Sequence, residues 1–315
     1  MISKDEAEAI INKEIDEDRL RKIIRNTSVV AWKKRISDSD VEQWLANFDG
    51  RFFSNVTNEK RLALWLLSHF TYYTYEDIRI LCKNLFNLFL HERLIQNKGK
   101  SLDSVLDEVL NNTLFVGLGN DSESGKNLLY YFRQENLLSK KSFDYDSGKK
   151  YKNIVYLDDV SLSGSQAVDY AKSRSIDTEN TYAGFLIATD KAIEHIQKAG
   201  LNITPMATMI LDNRDKAFSD SSYVFSDDKV CNIREIAREF CRLYGSIAIE
   251  KCDYMDKHPL GFADGQYLLG FEYNTPDNTL PIFWGTSNGW YPLFTRYQKI
   301  YGNGKESALD GRKYY

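Results

Sequence analysis

The 315 residues include 43% hydrophobic and 27% charged side chains, close to a globular average, which excludes a disordered or fibrous chain. Lysine and arginine number 41 against 45 aspartates and glutamates; the net charge of −4 excludes a general electrostatic hold on nucleic acid and leaves only a local basic groove open. Four scattered cysteines without a Cys-x-x-Cys pair exclude a disulfide scaffold, a zinc ribbon and a thioredoxin-like redox motif.

The first twenty residues are acidic from position 5 and lack the unbroken apolar core of a signal peptide. The most apolar stretches, 62–70 and 85–90, fall well short of the ~20 residues a membrane helix needs. The chain is therefore expected to be soluble and cytoplasmic, with no membrane partner. Residues 1–110 read as helical throughout. Leu20, Ile23 and Ile24 begin an apolar stripe, and Ser39 with Glu42 makes a capping box ahead of Trp44, Leu45 and Phe48. The stretch 62–70 and the series Ile78, Leu81, Leu85, Leu88 follow at helical spacing. Ser101 then caps a helix carrying Val105, Leu106, Val109 and Leu110. This predicts an all-helical lobe over 1–110.

From Thr113 the pattern changes. An apolar run at 113–119, a helix over 127–136, a strand at 153–157, a helix at 166–173, a strand at 182–188, a helix at 190–199 and an apolar run at 206–211 follow in turn. Strands alternating with helices through short loops predict an α/β domain over 111–315 built on a parallel sheet. The polar segment 139–150 reads as a mobile loop. Farther on, Asn232 and Glu235 cap a helix reaching Ile247, and strands at 267–273 and 280–285 flank the turn NTPDN.

The strongest chemical signal is IVYLDDVSLSGSQA, residues 154–167. An apolar strand delivers two half-buried carboxylates, Asp158 and Asp159, and a short loop of Ser161, Ser163, Gly164, Ser165 and Gln166 opens a helix. The first amides of a helix lack internal partners, and small residues let a phosphate approach them. Acidic groups just upstream suit ribose hydroxyls or a hydrated magnesium ion. A competing reading takes Gly119, Gly125, Lys126 and Asn127 as a degenerate P-loop with IVYLDD as its acidic strand, although the spacer is one residue too long and Asn127 replaces the magnesium-binding hydroxyl.

The 154–167 segment resembles the PRPP-binding motif of the phosphoribosyltransferases. That resemblance implies a phosphoribosyltransferase-type parallel-sheet core, PRPP as substrate and Mg²⁺ as cofactor. Asp158 and Asp159 fall on the acidic pair that contacts the ribose 2′- and 3′-hydroxyls and holds the metal through water. Ser163 and Gly164 fall on the 5′-phosphate loop, while Leu162 and Gln166 depart from the usual residues. Asn120, Asp121, Ser122, Ser124 and Lys126 stand where the family contacts pyrophosphate, and Lys140, Lys141, Lys149 and Lys150 where it carries a closing loop. The segments 258–261 and 274–281 are similar to those of phosphoribosyltransferase-like effectors of bacterial conflict and antiphage systems, some encoded beside retron reverse transcriptases. The resemblance implies a toxic glycosyl-transfer effector, with the helical lobe meeting an ATPase or reverse-transcriptase partner. His258, Asp264 and Gln266, in a loop dense in polar groups, are the candidate acceptor-orienting residues; His258 could move a proton near neutral pH. A ribose-phosphate or nucleotide sensor that regulates a partner without turnover is the alternative, favoured by Leu162 and Gln166.

Overall fold

A computed structural model describes residues 2–118, 124–146, 148–173, 178–250, 252 and 255–296, with 124–127 described in backbone only. The chain opens with α1 (Lys4–Glu14), α2 (Glu17–Val30), α3 (Asp38–Leu45) and α4 (Val56–Ser68). Ser3, Asp16, Ser37 and Asn55 cap them, each side chain accepting a backbone N–H of the first turn. The box predicted at Ser39 forms at Ser37 instead, where Asp40 returns the second hydrogen bond. Asp40 serves at the third helical position as well as Glu42 would, and the earlier start adds about half a turn.

A strand interrupts the helical series, contrary to expectation. β1 (Thr71–Tyr73) is β-branched and aromatic, and it pairs in parallel with β6 (Leu269–Phe271). Then come α5 (Tyr75–Gln96), α6 (Leu102–Asn112), β2 (Thr113–Gly117), α7 (Ser124–Glu135), β3 (Tyr151–Ser161) and α8 (Ser165–Ser173). β4 (Thr178–Thr189), α9 (Asp190–Lys198), β5 (Ile203–Leu211) and α10 (Arg234–Ile249) complete the regular elements. As predicted, Ser101 caps α6, its side chain accepting the Ser104 N–H. No side chain caps α10; a 3₁₀ turn at Cys231–Ile233 leads into it in place of the Asn232 box.

The parallel sheet has the order β2-β3-β4-β5, as an α/β core requires. Alternation along β3 divides its side chains between two layers. Val155 and Leu157 join Leu85, Phe89 and Phe132 of α5 and α7, while Ile154 and Tyr156 join Val168 and Ile196 of α8 and α9. α5 and α6 thus belong to the sheet's packing, although they lie within the stretch read as the helical lobe. A separate aromatic-rich core joins α1–α4 to α10 and to residues 280–294. Within that core Glu59 is fully buried, accepting N–H groups from Gly50, Phe52 and Phe53 and the Tyr244 hydroxyl. Residues 281–283 form a 3₁₀ turn rather than the predicted strand. Pro281 cannot donate to a ladder, and the Ile282 carbonyl is taken by the indole N–H groups of Trp44 and Trp290. Among the described residues no helix is long and apolar enough to cross a membrane.

Candidate active site

β3 runs four residues beyond its predicted end at Leu157. β2 stops at Gly117, opposite Leu157, so from Asp158 onward β3 keeps β4 on one side and has no β2 on the other. Along that open edge lies a cavity of about 450 Å³. Consecutive strand residues point to opposite faces, yet Asp158 and Asp159 both line it, because it wraps the edge that β2 vacates. Ser161, Ser163, Gly164, Ser165 and Gln166 line the same cavity, as does Leu118 at the end of β2. The structure thus sets Asp158, Asp159 and the 161–166 loop around one cavity.

The acidic pair is buried, each residue 5% exposed, where the sequence suggested half-burial. Internal donors make that tolerable. The Asp159 N–H reaches Asp158 Oδ1 at 3.0 Å, the Val160 N–H reaches Asp159 Oδ1 at 2.7 Å, and the Tyr273 hydroxyl donates to Asp159 Oδ2 at 2.8 Å. Burial, then the neighbouring Asp159 carboxylate, push the Tyr273 phenol well above its ordinary value, so it stays a donor.

Glycine is required at 164. Its φ of +75° is left-handed, and a Cβ there would stand 2.7 Å from the Ala192 carbonyl oxygen of α9. The loop's carbonyls are tied to that region too: Leu162 O accepts from the Thr189 hydroxyl at 3.0 Å, and Ser163 O lies 2.8 Å from His195 Nδ1. Ser163 Oγ accepts the Ser165 N–H at 3.4 Å as α8 begins.

The opposite wall comes from about a hundred residues farther along the chain. Phe262, Asn274, Pro276, Asp277, Asn278 and Arg296 complete the lining. Gly261, at φ +90°, lets this segment fold back so that Phe262 N donates to Asp277 O at 2.7 Å and Asn278 Nδ2 to Phe262 O at 2.9 Å. Arg296 donates to Thr275 O at 2.6 Å and to Asp277 Oδ2 at 3.2 Å, and its guanidinium lies over Trp284. Tyr273 and Arg296 carry no local motif. Asn274, Asp277 and Asn278 belong to the NTPDN turn, whose polar density is the signal that marks them.

The candidate acceptor residues sit elsewhere. His258, Asp264 and Gln266 are not part of the cavity lining. Gln266, 5% exposed, accepts from Phe218 N and donates to Asp264 Oδ2 at 2.8 Å. Asp264 in turn meets Arg238 at 3.4 Å, and the His258 ring packs against Phe262. These groups bracket the 258–266 loop to residues 216–238. Asn120, Asp121 and Ser122 lie outside the described residues, as do the side chains of Ser124 and Lys126, which fall in the first turn of α7.

Segment 139–150 does not sit over the cavity. It precedes Tyr151, at the start of β3, and Phe143 stacks on Phe115 of β2. The seven-residue climb from Tyr151 to Asp158 spans about 23 Å at ~3.3 Å per residue, beyond the reach of a lysine.

Among the described residues no group of three His, Cys, Asp or Glu side chains is placed to hold a metal. Asp158 and Asp159 do fit a magnesium ion that arrives with a phosphorylated ligand, because Mg²⁺ is commonly held by one or two carboxylates plus substrate phosphates and water. The cavity's other described charges are Asp277 and its partner Arg296. A lining so rich in carboxylate suits hydroxyls and an ion-accompanied phosphate better than a bare anion.

An acidic pair and Ser/Gly loop at the end of a central parallel strand give this α/β protein a phosphoribosyltransferase-like core. The chain belongs to the PRTase-CE family, whose model matches residues 41–296. That match takes in α4, α5, the sheet and Arg296 together. Two solved structures show a distant likeness. Orotate phosphoribosyltransferase from Aeropyrum pernix is 11% identical, with a TM-score of 0.27 over 43% of this chain and 72% of that one. The AQ2163 protein from Aquifex aeolicus is 12% identical, with a TM-score of 0.26 over 64% of this chain and 96% of that one. No curated protein matches the sequence.

Proposed function

We propose that the cavity binds PRPP or a related ribose phosphate with Mg²⁺, and that the protein transfers or hydrolyses at the anomeric carbon. The observation that carries this reading is the convergence of the acidic pair and the 161–166 loop on one cavity in a member of this family. Asp158 and Asp159 would accept from the ribose hydroxyls and hold the ion. The amides and hydroxyls at 163–166 would take the 5′-phosphate at the start of α8. In the reaction the bond from the anomeric carbon to the pyrophosphate oxygen breaks, its electron pair leaving with pyrophosphate. A lone pair of the acceptor, or of water, forms the new bond, and the proton that atom then sheds passes to the departing pyrophosphate or to solvent. The ring is oxocarbenium-like in between, and the buried carboxylates favour its positive charge. Mg²⁺, when bound, supplies neutralisation of the leaving diphosphate. The likeness of 258–261 and 274–281 to conflict effectors supports a toxic outcome, with the N-terminal helices meeting a defence-system partner.

Calorimetry with PRPP and Mg²⁺, followed by a pyrophosphate-release assay, tests the proposal. Wild type is expected to bind and to release pyrophosphate, and Asp158→Asn with Asp159→Asn to do neither while remaining folded. Full binding by that variant removes the reading. One observation favours a second reading, a ligand sensor without turnover: Leu162 and Gln166, which depart from the usual phosphate-loop residues, both line the cavity. Binding without pyrophosphate release, with every acceptor tried, selects it.

A further inference from the structure

We propose that the end of the sheet opposite the cavity is a binding face for single-stranded nucleic acid. The inference does not depend on the reading of the cavity. Within a chain of net charge −4, residues 139–152 carry five lysines against Asp144 and Asp146. The fold gathers these lysines with others from distant sequence. Lys100 and Lys152 converge on Glu108, at 3.4 and 3.5 Å, and the buried Arg93 meets the same carboxylate at 2.7 Å. One buried anion thus serves three cations, and the two lysines remain nearly half exposed at 45% and 44%. The Ser142 hydroxyl reaches Leu110 O at 3.4 Å, which sets the exposed Lys140 and Lys141 beside the last turn of α6.

An aromatic platform lies among these charges. Tyr151 accepts the Asp146 N–H and donates to Asp144 O, fixing its ring at the start of β3. Tyr145 stacks on that ring at 6.2 Å and 26°, and is itself 60% exposed. Lys149 Nζ stands 5.1 Å from the Tyr151 ring centre. An exposed ring held by a second ring that Lys149 covers, in a segment where Lys140 and Lys141 are also exposed, offers a face for a base and charges for the flanking phosphates. A duplex keeps its bases stacked internally and cannot use that ring. An acidic peptide or an anionic membrane would need the lysines alone.

The test is fluorescence anisotropy of the full-length protein with a labelled oligothymidylate of about 20 nucleotides, longer than the ~4–16 a small module covers. Contact with three or four phosphates is expected to give a log–log salt slope of about −2 to −3, at ~0.7 per phosphate for single strands. Tyr145→Ala is expected to weaken binding on the order of tenfold, and Tyr145→Phe to restore it, since stacking needs the ring and not the hydroxyl. Lys140→Glu with Lys141→Glu, and separately Lys149→Glu, should each weaken binding by a similar factor while circular dichroism stays unchanged. Absence of binding at low salt overturns the proposal. So does binding that ignores Tyr145→Ala, or equal affinity for duplex DNA, polyglutamate or phosphatidylserine vesicles, because the face would then recognise charge alone.

Discussion

Tyr273 reaches Asp159 across 114 residues of sequence and holds one carboxylate oxygen while the Val160 N–H holds the other. A carboxylate fixed at both oxygens is oriented before ligand arrives. Tyr273→Phe removes only the hydroxyl, and a hydrogen bond to a charged group contributes about 1.5–3 kcal/mol. Ribose-phosphate affinity should therefore fall roughly 10- to 100-fold, and the double variant with Asp159→Asn should be no worse than Asp159→Asn alone. Additive losses in that cycle would mean the two residues act separately. Gly164→Ala should cost about 1–3 kcal/mol of stability through left-handed strain and contact with the Ala192 carbonyl, read as a lower urea midpoint. An unchanged midpoint would show that the loop can relax. Glu108 gives a pH test. Burial raises its carboxyl, but Arg93, Lys100 and Lys152 outweigh burial and hold it below the ordinary value. A carboxyl depressed in the folded state stabilises the fold above its unfolded pKa of about 4.3, and loses that contribution as pH falls through the lower folded value. Glu108→Gln should thus lower the urea midpoint at pH 7 and narrow its deficit at pH 3; an equal deficit at both rejects the linkage. Asp158, Asp159 and Gly164 were legible because their chemistry is local to one strand-loop-helix unit. Tyr273 and Arg296 were not, since a tyrosine or an arginine outside a motif announces nothing until the chain folds it against a carboxylate.

The long amphipathic helices and the apolar strands β3, β4 and β5 follow directly from residue periodicity, and their predicted ranges hold to within a few residues. β1 escaped because three residues give no period, and 281–283 misled because an apolar run beginning with proline suits a tight turn as well as a strand. The assignment of α5 was less legible still. A helix face of Ile78, Leu85, Phe86 and Phe89 shows that something is covered, and nothing in it says the partner is a sheet beginning at Thr113. The packing carries a prediction at this scale. α5 buries six apolar side chains, each contributing about 1.5–3 kcal/mol, which approaches or exceeds the ~5–15 kcal/mol that holds a typical domain folded. Deleting residues 1–110 should therefore abolish the cooperative thermal transition of the remainder, read by circular dichroism. A truncated chain that melts cooperatively would make α1–α6 a removable lobe.

For the whole molecule, the sheet separates two kinds of chemistry: carboxylates and a Ser/Gly loop where its strands end, lysines and stacked tyrosines where they begin. The first was readable as a motif. The second was visible only as a polar stretch, and its place at the far end of the strands follows from topology. Apart from the sheet, the aromatic core joins α1–α4 to α10 and residues 280–294, so the last third of the chain locks the first. The cavity shares this dependence, because one wall is made by residues 158–167 and the other by residues 262–296. A ribosome adds about 5–20 residues per second, so on the order of ten seconds separates synthesis of the two walls. A nascent chain that already carries the acidic strand has half a binding site and no Tyr273 to orient it. On the proposed reading, the cavity cannot hold a ribose phosphate until synthesis has passed Arg296, the last residue of its lining.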